Sequence, residues 1–205
     1  MGKAETPKGG NSRRRILYEA FKLFATMPYD RVSFAVMEKE IGISRGSMVY
    51  YFKNKEGLFG EIMKTLILDL SSVMSVPEAY TMSLRSFYNY FIETLTREKD
   101  KMTQMGVLNM NEAYLRIEIS ALTYVENFKT YGSQWYDEER KVWEGVIRNG
   151  ISIGEIKPDI DPELFGRIFE DCFLGHSFRG VFSDTGYDID SLKKEFDQIY
   201  NLLKK

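Results

Sequence analysis

Apolar positions recur at spacings of three and four along almost the whole chain, the signature of helices that bury one face. Ile16, Leu17, Ala20, Phe21, Leu23 and Phe24 predict a first helix over about 12–27, capped by Asn11 or Ser12 and stopped by Pro28-Tyr29-Asp30. Ser33 caps a second helix over 34–41, with Val36, Met37 and Ile41 inward, and Gly42 suits the left-handed residue that closes it. Ser44 caps a third over 45–51, and Asn54 caps a long fourth over 55–75. Further helices are expected at about 78–98, 101–110, 112–131, 133–153, 162–182 and 189–204, with breakers at Gly132-Ser133, Gly154 to Asp161 and Ser183 to Gly186. No segment alternates apolar and polar residues for long, so the expected fold class is all-α. Residues 1–11 carry no such period and read as a disordered basic tail. The expected division is 12–55 as a first domain and 56–205 as a larger helical one, with the boundary inside or just after the fourth helix.

Composition narrows the function classes. One cysteine, Cys172, excludes an internal disulfide framework and a cysteine-rich zinc module. No run of about 18 apolar residues exists to span a bilayer, and the N-terminus has no apolar core of a secretory signal, so a cytoplasmic protein is expected. The net charge of -2 conceals an asymmetry. Residues 1–64 hold 12 Lys and Arg against 7 Asp and Glu, and the remainder holds 16 against 23. A basic first third on an acidic body points towards nucleic acid.

The two short helices over 34–51 and the Gly42 turn between them form a helix-turn-helix with DNA-binding chemistry on the second helix. Met48 can anchor its buried face, leaving Arg45, Ser47, Tyr50 and Tyr51 for solvent or DNA. Arg45 suits a guanine edge, while Ser47, the tyrosine hydroxyls and Lys55 suit phosphates. Ser33, Ser44, Gly46 and Lys53 complete the expected surface, with Arg14 reaching the backbone or an adjacent groove from the first helix. The free N–H groups that open the fourth helix are a seat for a phosphate.

These residues resemble the DNA-binding domain of TetR-family transcriptional regulators. The resemblance rests on Phe24, the Tyr29–Val32 approach to Ser33, the run from Ile41 to Ser47, and the closing run from Tyr51 to Phe59. The segment Gly154 to Glu163 is similar to the family's connection between its last two long dimerising helices. The resemblance implies a homodimer on a palindromic double-stranded DNA operator, usually a repressor, with a small-molecule effector bound in the larger domain. Two positions depart from the family pattern. Val49 stands where a tyrosine is frequent, and Glu38 stands where a small residue is usual.

Residues 65–205 hold 20 of the 29 aromatic residues, enough for a core and an aromatic-lined pocket. Tyr88, Tyr114, Tyr124, Phe128, Trp135, Trp143, Phe169 and Phe173 are candidates for binding an aromatic or hydrophobic effector. The dimer face is expected on the last two helices, with Gly166 and Gly175 allowing close approach and Ile168, Phe178 and Phe182 supplying apolar area. Cys172 and His176 share a helical face, but two ligands are too few for a metal site, and no metal or cofactor is expected. No catalytic cluster accompanies them. The leading reading is therefore a ligand-responsive dimeric regulator. Alternatives are the same fold answering to a protein partner or to no ligand and, behind both, an all-α enzyme.

Overall fold

The computed structural model of the chain describes residues 7–68 and 73–205. Its elements are α1 (Pro7–Thr26), α2 (Phe34–Ile41), α3 (Arg45–Phe52), α4 (Lys55–Ile62), α5 (Leu84–Gln104), α6 (Met110–Tyr124), α7 (Phe128–Ser152), α8 (Pro162–Gly180) and α9 (Ile189–Leu203). The described residues form no strand beyond one isolated bridge between Ile156 and Lys204. The all-α expectation holds. The chain divides into two compact units, one of residues up to 67 together with 113–128, the other of 68–112 and 129–205.

In the first unit α1 lays Ile16, Leu17, Ala20, Phe21 and Phe24 into a core completed by Val32, Met37, Met48, Phe52, Leu58, Phe59 and Ile62. Fully burying a side chain of this size contributes about 1.5–3 kcal/mol, so the short helices α2 and α3 are held by packing more than by propensity. Phe24, Tyr29 and Phe59 meet with ring centroids 4.7 to 5.6 Å apart. Tyr124, at the end of α6, stacks on Tyr29 at 3.9 Å.

The second unit is built on rings. Trp143 of α7 stacks on Phe169 of α8 at 5.0 Å, and Phe87 and Phe91 of α5 and Phe196 of α9 meet it edge-on. Two side chains close its corners. Glu155 accepts the backbone N–H of Leu84 at 2.9 Å and of Arg85 at 3.1 Å, and so caps α5 from the α7–α8 connection. Asn109 accepts the N–H of Glu112 at 2.9 Å, while its amide donates to the carbonyls of Gly180 and Ser183 at the end of α8.

Several boundaries differ from the sequence expectation. Pro7 starts α1, because proline is pre-organised for the first helical position, so residues 7–11 are helical and only 1–6 lie outside the described residues. The expected helix over 55–75 is α-helical only to Ile62, continues as a π-helical stretch from Met63 to Leu68, and then passes to residues 69–72, outside the described residues. The first domain also takes back residues 113–128 from the larger one. The break expected at Gly132-Ser133 lies instead at Asn127, whose φ of 59° is a left-handed geometry asparagine tolerates, and Gly132 sits inside α7.

Candidate nucleic-acid interface

The helix-turn-helix is set by local hydrogen bonds. Ser33 Oγ accepts from Val36 N at 3.2 Å, Ser44 Oγ from Ser47 N at 3.2 Å, and Asn54 Oδ1 from Gly57 N at 2.7 Å. Gly42 ends α2 at φ 66°. Met37 and Met48 are fully buried between the two helices, which fixes the face α3 turns outward. On that face lie Arg45, Gly46, Val49 and Tyr50, all exposed. Tyr50 is 80% exposed, so its ring is not a core ring. Tyr51 is half-buried and meets Tyr50 edge-on at 5.0 Å.

Three details were not visible in the sequence. Glu38 of α2 accepts the backbone N–H of Arg45 at 3.2 Å, which ties α2 to the open end of α3. Lys53, exposed, has φ 65° and ψ -58° and sits at the centre of a γ-turn closed by Asn54 N to Phe52 O at 2.8 Å. Lys55 donates to the carbonyl of Tyr29 at 3.2 Å and lies 3.8 Å from the centre of its ring, so its amine is held against the head. Burial and the Glu56 carboxylate keep the Tyr29 hydroxyl well above the ordinary phenol range.

The arginines of α1 separate into roles. Arg13 pairs with Glu61 of α4 at 2.6 Å and covers the Phe52 ring, a structural role. Arg14 is exposed and lies over Tyr18 of its own helix. The surface thus presents Arg45, Tyr50, Lys53 and Arg14 to solvent, and the hydroxyls of Ser33, Ser44 and Ser47 near helix starts. That set supplies base-edge and phosphate donors and holds no nucleophile with an attendant base.

Residues 16–62 match the model for bacterial regulatory proteins of the tetR family. The HTH-type transcriptional repressor KstR2 of Mycolicibacterium smegmatis is 26% identical over 172 residues, covering 82% of this chain and 78% of the relative. The first unit thus carries a tetR-type DNA-binding domain. Solved TetR-like folds extend the likeness to both units. A TetR transcription regulator from Haloarcula marismortui superposes with a TM-score of 0.74 at 19% identity, covering 96% of this chain and all of that one. The SmeT–triclosan complex superposes with a TM-score of 0.68 at 15% identity, covering 95% and 92%. With this DNA-binding domain and repressor relatives along most of its length, the chain is a DNA-binding transcriptional regulator, and no described helix is long and apolar enough to cross a membrane.

The second group of expected site residues is divided by the fold. Tyr88, Trp143, Phe169 and Phe173 converge in the second unit, where they interlock with Phe87, Phe91, Phe196 and Tyr187 as core. Tyr88 donates its hydroxyl to Asp197 at 2.7 Å. Tyr114 and Tyr124 belong to the first unit, Tyr114 against Phe21 and Tyr124 donating to the Asp30 carboxylate at 2.8 Å. Phe128 and Trp135 are half-buried at the start of α7. Among the expected dimer residues, Gly166 is taken up within the chain, since a methyl group there would press on the α7 backbone at Glu144 from 3.1 Å. Gly175, Phe178 and Phe182 are exposed, and Ile168 is half-buried.

Proposed function

We propose that the chain is a homodimeric repressor that acts in the cytoplasm, binds a pseudo-palindromic operator and is released by a small hydrophobic effector. The observation that carries the DNA reading is α3 itself. It is anchored by Met48, opened by the Ser44 cap and turned so that Arg45 and Tyr50 stand in solvent. An exposed arginine at a recognition-helix start suits the O6 and N7 acceptors of guanine.

The dimer reading is supported by a stripe on α8. Leu164, Ile168, Gly175 and Phe178, with Phe182 just beyond the helix, fall on one side at helical spacing. Phe178 is 59% exposed and Phe182 77%, and their rings meet at 5.5 Å. Exposed paired aromatics of this kind mark an interaction surface.

Release would pass through α6, which begins in the second unit and ends in the first at the Tyr124–Asp30 contact. The triclosan named in the SmeT complex is the kind of effector this reading envisages. The interlocked rings of the second unit favour a second reading, a regulator that answers to a protein partner or to none. A thermal-shift screen of aromatic and hydrophobic compounds separates the two. The test of the whole reading is binding of the folded dimer to DNA upstream of its own gene, with affinity falling steeply with salt. Absence of binding at low salt would refute it.

A further inference from the structure

The chain has one cysteine and one histidine, and the fold places both beside a carboxylate that the sequence did not connect to them. Cys172 and His176 stand one turn apart on α8, and Glu195 reaches them from α9. One oxygen of Glu195 lies 3.2 Å from Cys172 Sγ and 3.0 Å from His176 Nε2. All three ligand atoms lie within 4.8 Å of one another. His176 is 7% exposed, and its Nε2 is turned into this cluster against the Glu195 carboxylate. A buried imidazole nitrogen and a thiol that share one carboxylate oxygen bring three metal-ligating atoms together at one point.

We propose that Cys172, His176 and Glu195 form a binding site for one borderline-soft divalent cation, with zinc the best match, that joins α8 to α9. The donor set decides the metal class. A thiolate and an imidazole select zinc over magnesium or calcium, which prefer all-oxygen shells. Zinc sits about 2.3 Å from sulfur and about 2.0–2.2 Å from nitrogen and oxygen, so ligands on one tetrahedral ion stand about 3.3–3.8 Å apart. The observed cluster reaches that spacing by side-chain shifts of less than about 1 Å. The thiol proton leaves to solvent as sulfur binds, and thiolate plus carboxylate then balance the ion's double charge. Water fills the fourth position, reached through a shallow surface groove lined by Cys172, Lys194, Glu195, Gln198 and Ile199. Arg179 brings positive charge near the Glu195 carboxylate, and Asp188 lies within electrostatic reach of His176 and Lys194.

The test uses the full, untagged chain under a thiol reductant after chelator treatment. Cobalt(II) titration should produce a near-ultraviolet sulfur-to-metal charge-transfer band, assignable to Cys172 because there is no other cysteine, and zinc should abolish it at one equivalent per chain. Glu195→Gln changes an exposed side chain and leaves the fold intact, so circular dichroism should match the wild type while zinc affinity falls tenfold or more. His176→Gln should do the same, and magnesium should not compete. No charge-transfer band in the folded wild-type chain would overturn the proposal. So would zinc affinity unchanged in both Glu195→Gln and His176→Gln.

Discussion

Gly57 stands where α3 hands over to α4, and a methyl group there would run into the carbonyl of Phe52. Alanine is the better helix former by about 1 kcal/mol, so propensity alone predicts stabilisation. The collision outweighs it. Gly57→Ala should lower stability by about 1–3 kcal/mol in denaturant melts, because the backbone of Phe52 cannot swing aside as a flexible side chain can. A rise in melting temperature would show that the two helices do not approach so closely. Glu118 of α6 carries a different kind of strain, since burial pushes its carboxyl from 4.5 up to about 7. The folded state therefore holds that proton more tightly than the unfolded chain. Its stability contribution is complete below about pH 4.5 and is lost as pH rises through about 7. Glu118→Gln should accordingly raise stability at pH 8, by up to about 3 kcal/mol, and converge with wild type near pH 4.5. Thermal melts at both pH values check the sign. At this scale the caps Ser33, Ser44 and Asn54 were readable in the sequence, because capping is settled within three residues. Glu38 was not, since its partner is a backbone amide seven residues on that only the turn brings near.

Among the elements, α5 depends on a residue far along the chain. Its first N–H groups are satisfied by Glu155, about 70 positions later, with a negative charge at the positive end of the helix. Glu155→Ala should cost about 1–3 kcal/mol, and Glu155→Gln less, measured by urea unfolding. Equal stability of both variants with wild type would mean the cap is made by Ser83 alone, whose hydroxyl accepts Ser86 N at 3.2 Å. Element existence was legible from periodicity for α1, α2, α3, α8 and α9. Boundaries failed where a residue's usual meaning was overridden. Gly132 read as a breaker, yet a 25-residue helix absorbs the modest cost of a glycine in its first turns. Small residues signal close approach without saying to which helix, and at Gly166 the close neighbour within the chain is α7 at Glu144. The continuation of α4 into a π-helical stretch leaves no mark in an apolar pattern that suits either winding.

For the whole molecule, the proposed dimer makes a direct prediction. Phe178 and Phe182 carry no core load, so Phe178→Glu with Phe182→Glu should leave the monomer folded and weaken self-association at least about thirtyfold, read by light scattering across concentration. Operator affinity should fall with it, since two heads share one palindromic site. The aromatic body was legible as a composition, but its use was not. A count of rings does not say whether they enclose a ligand or one another, and here Trp143, Phe169 and Phe196 enclose one another. The basic head was the more informative signal because DNA contact demands particular donors on one exposed face.

The central claim is that α3 reads base edges while its flanks hold phosphates. It is tested most directly by anisotropy titrations of wild type, Arg45→Ala and Lys53→Ala against the upstream operator and a scrambled duplex over a range of salt. Arg45→Ala should lose about 1–3 kcal/mol on the operator and far less on the scrambled duplex. Lys53→Ala should weaken both duplexes alike and reduce the salt slope by about one. Operator preference unchanged in Arg45→Ala, with the salt slope unchanged in Lys53→Ala, would contradict the account.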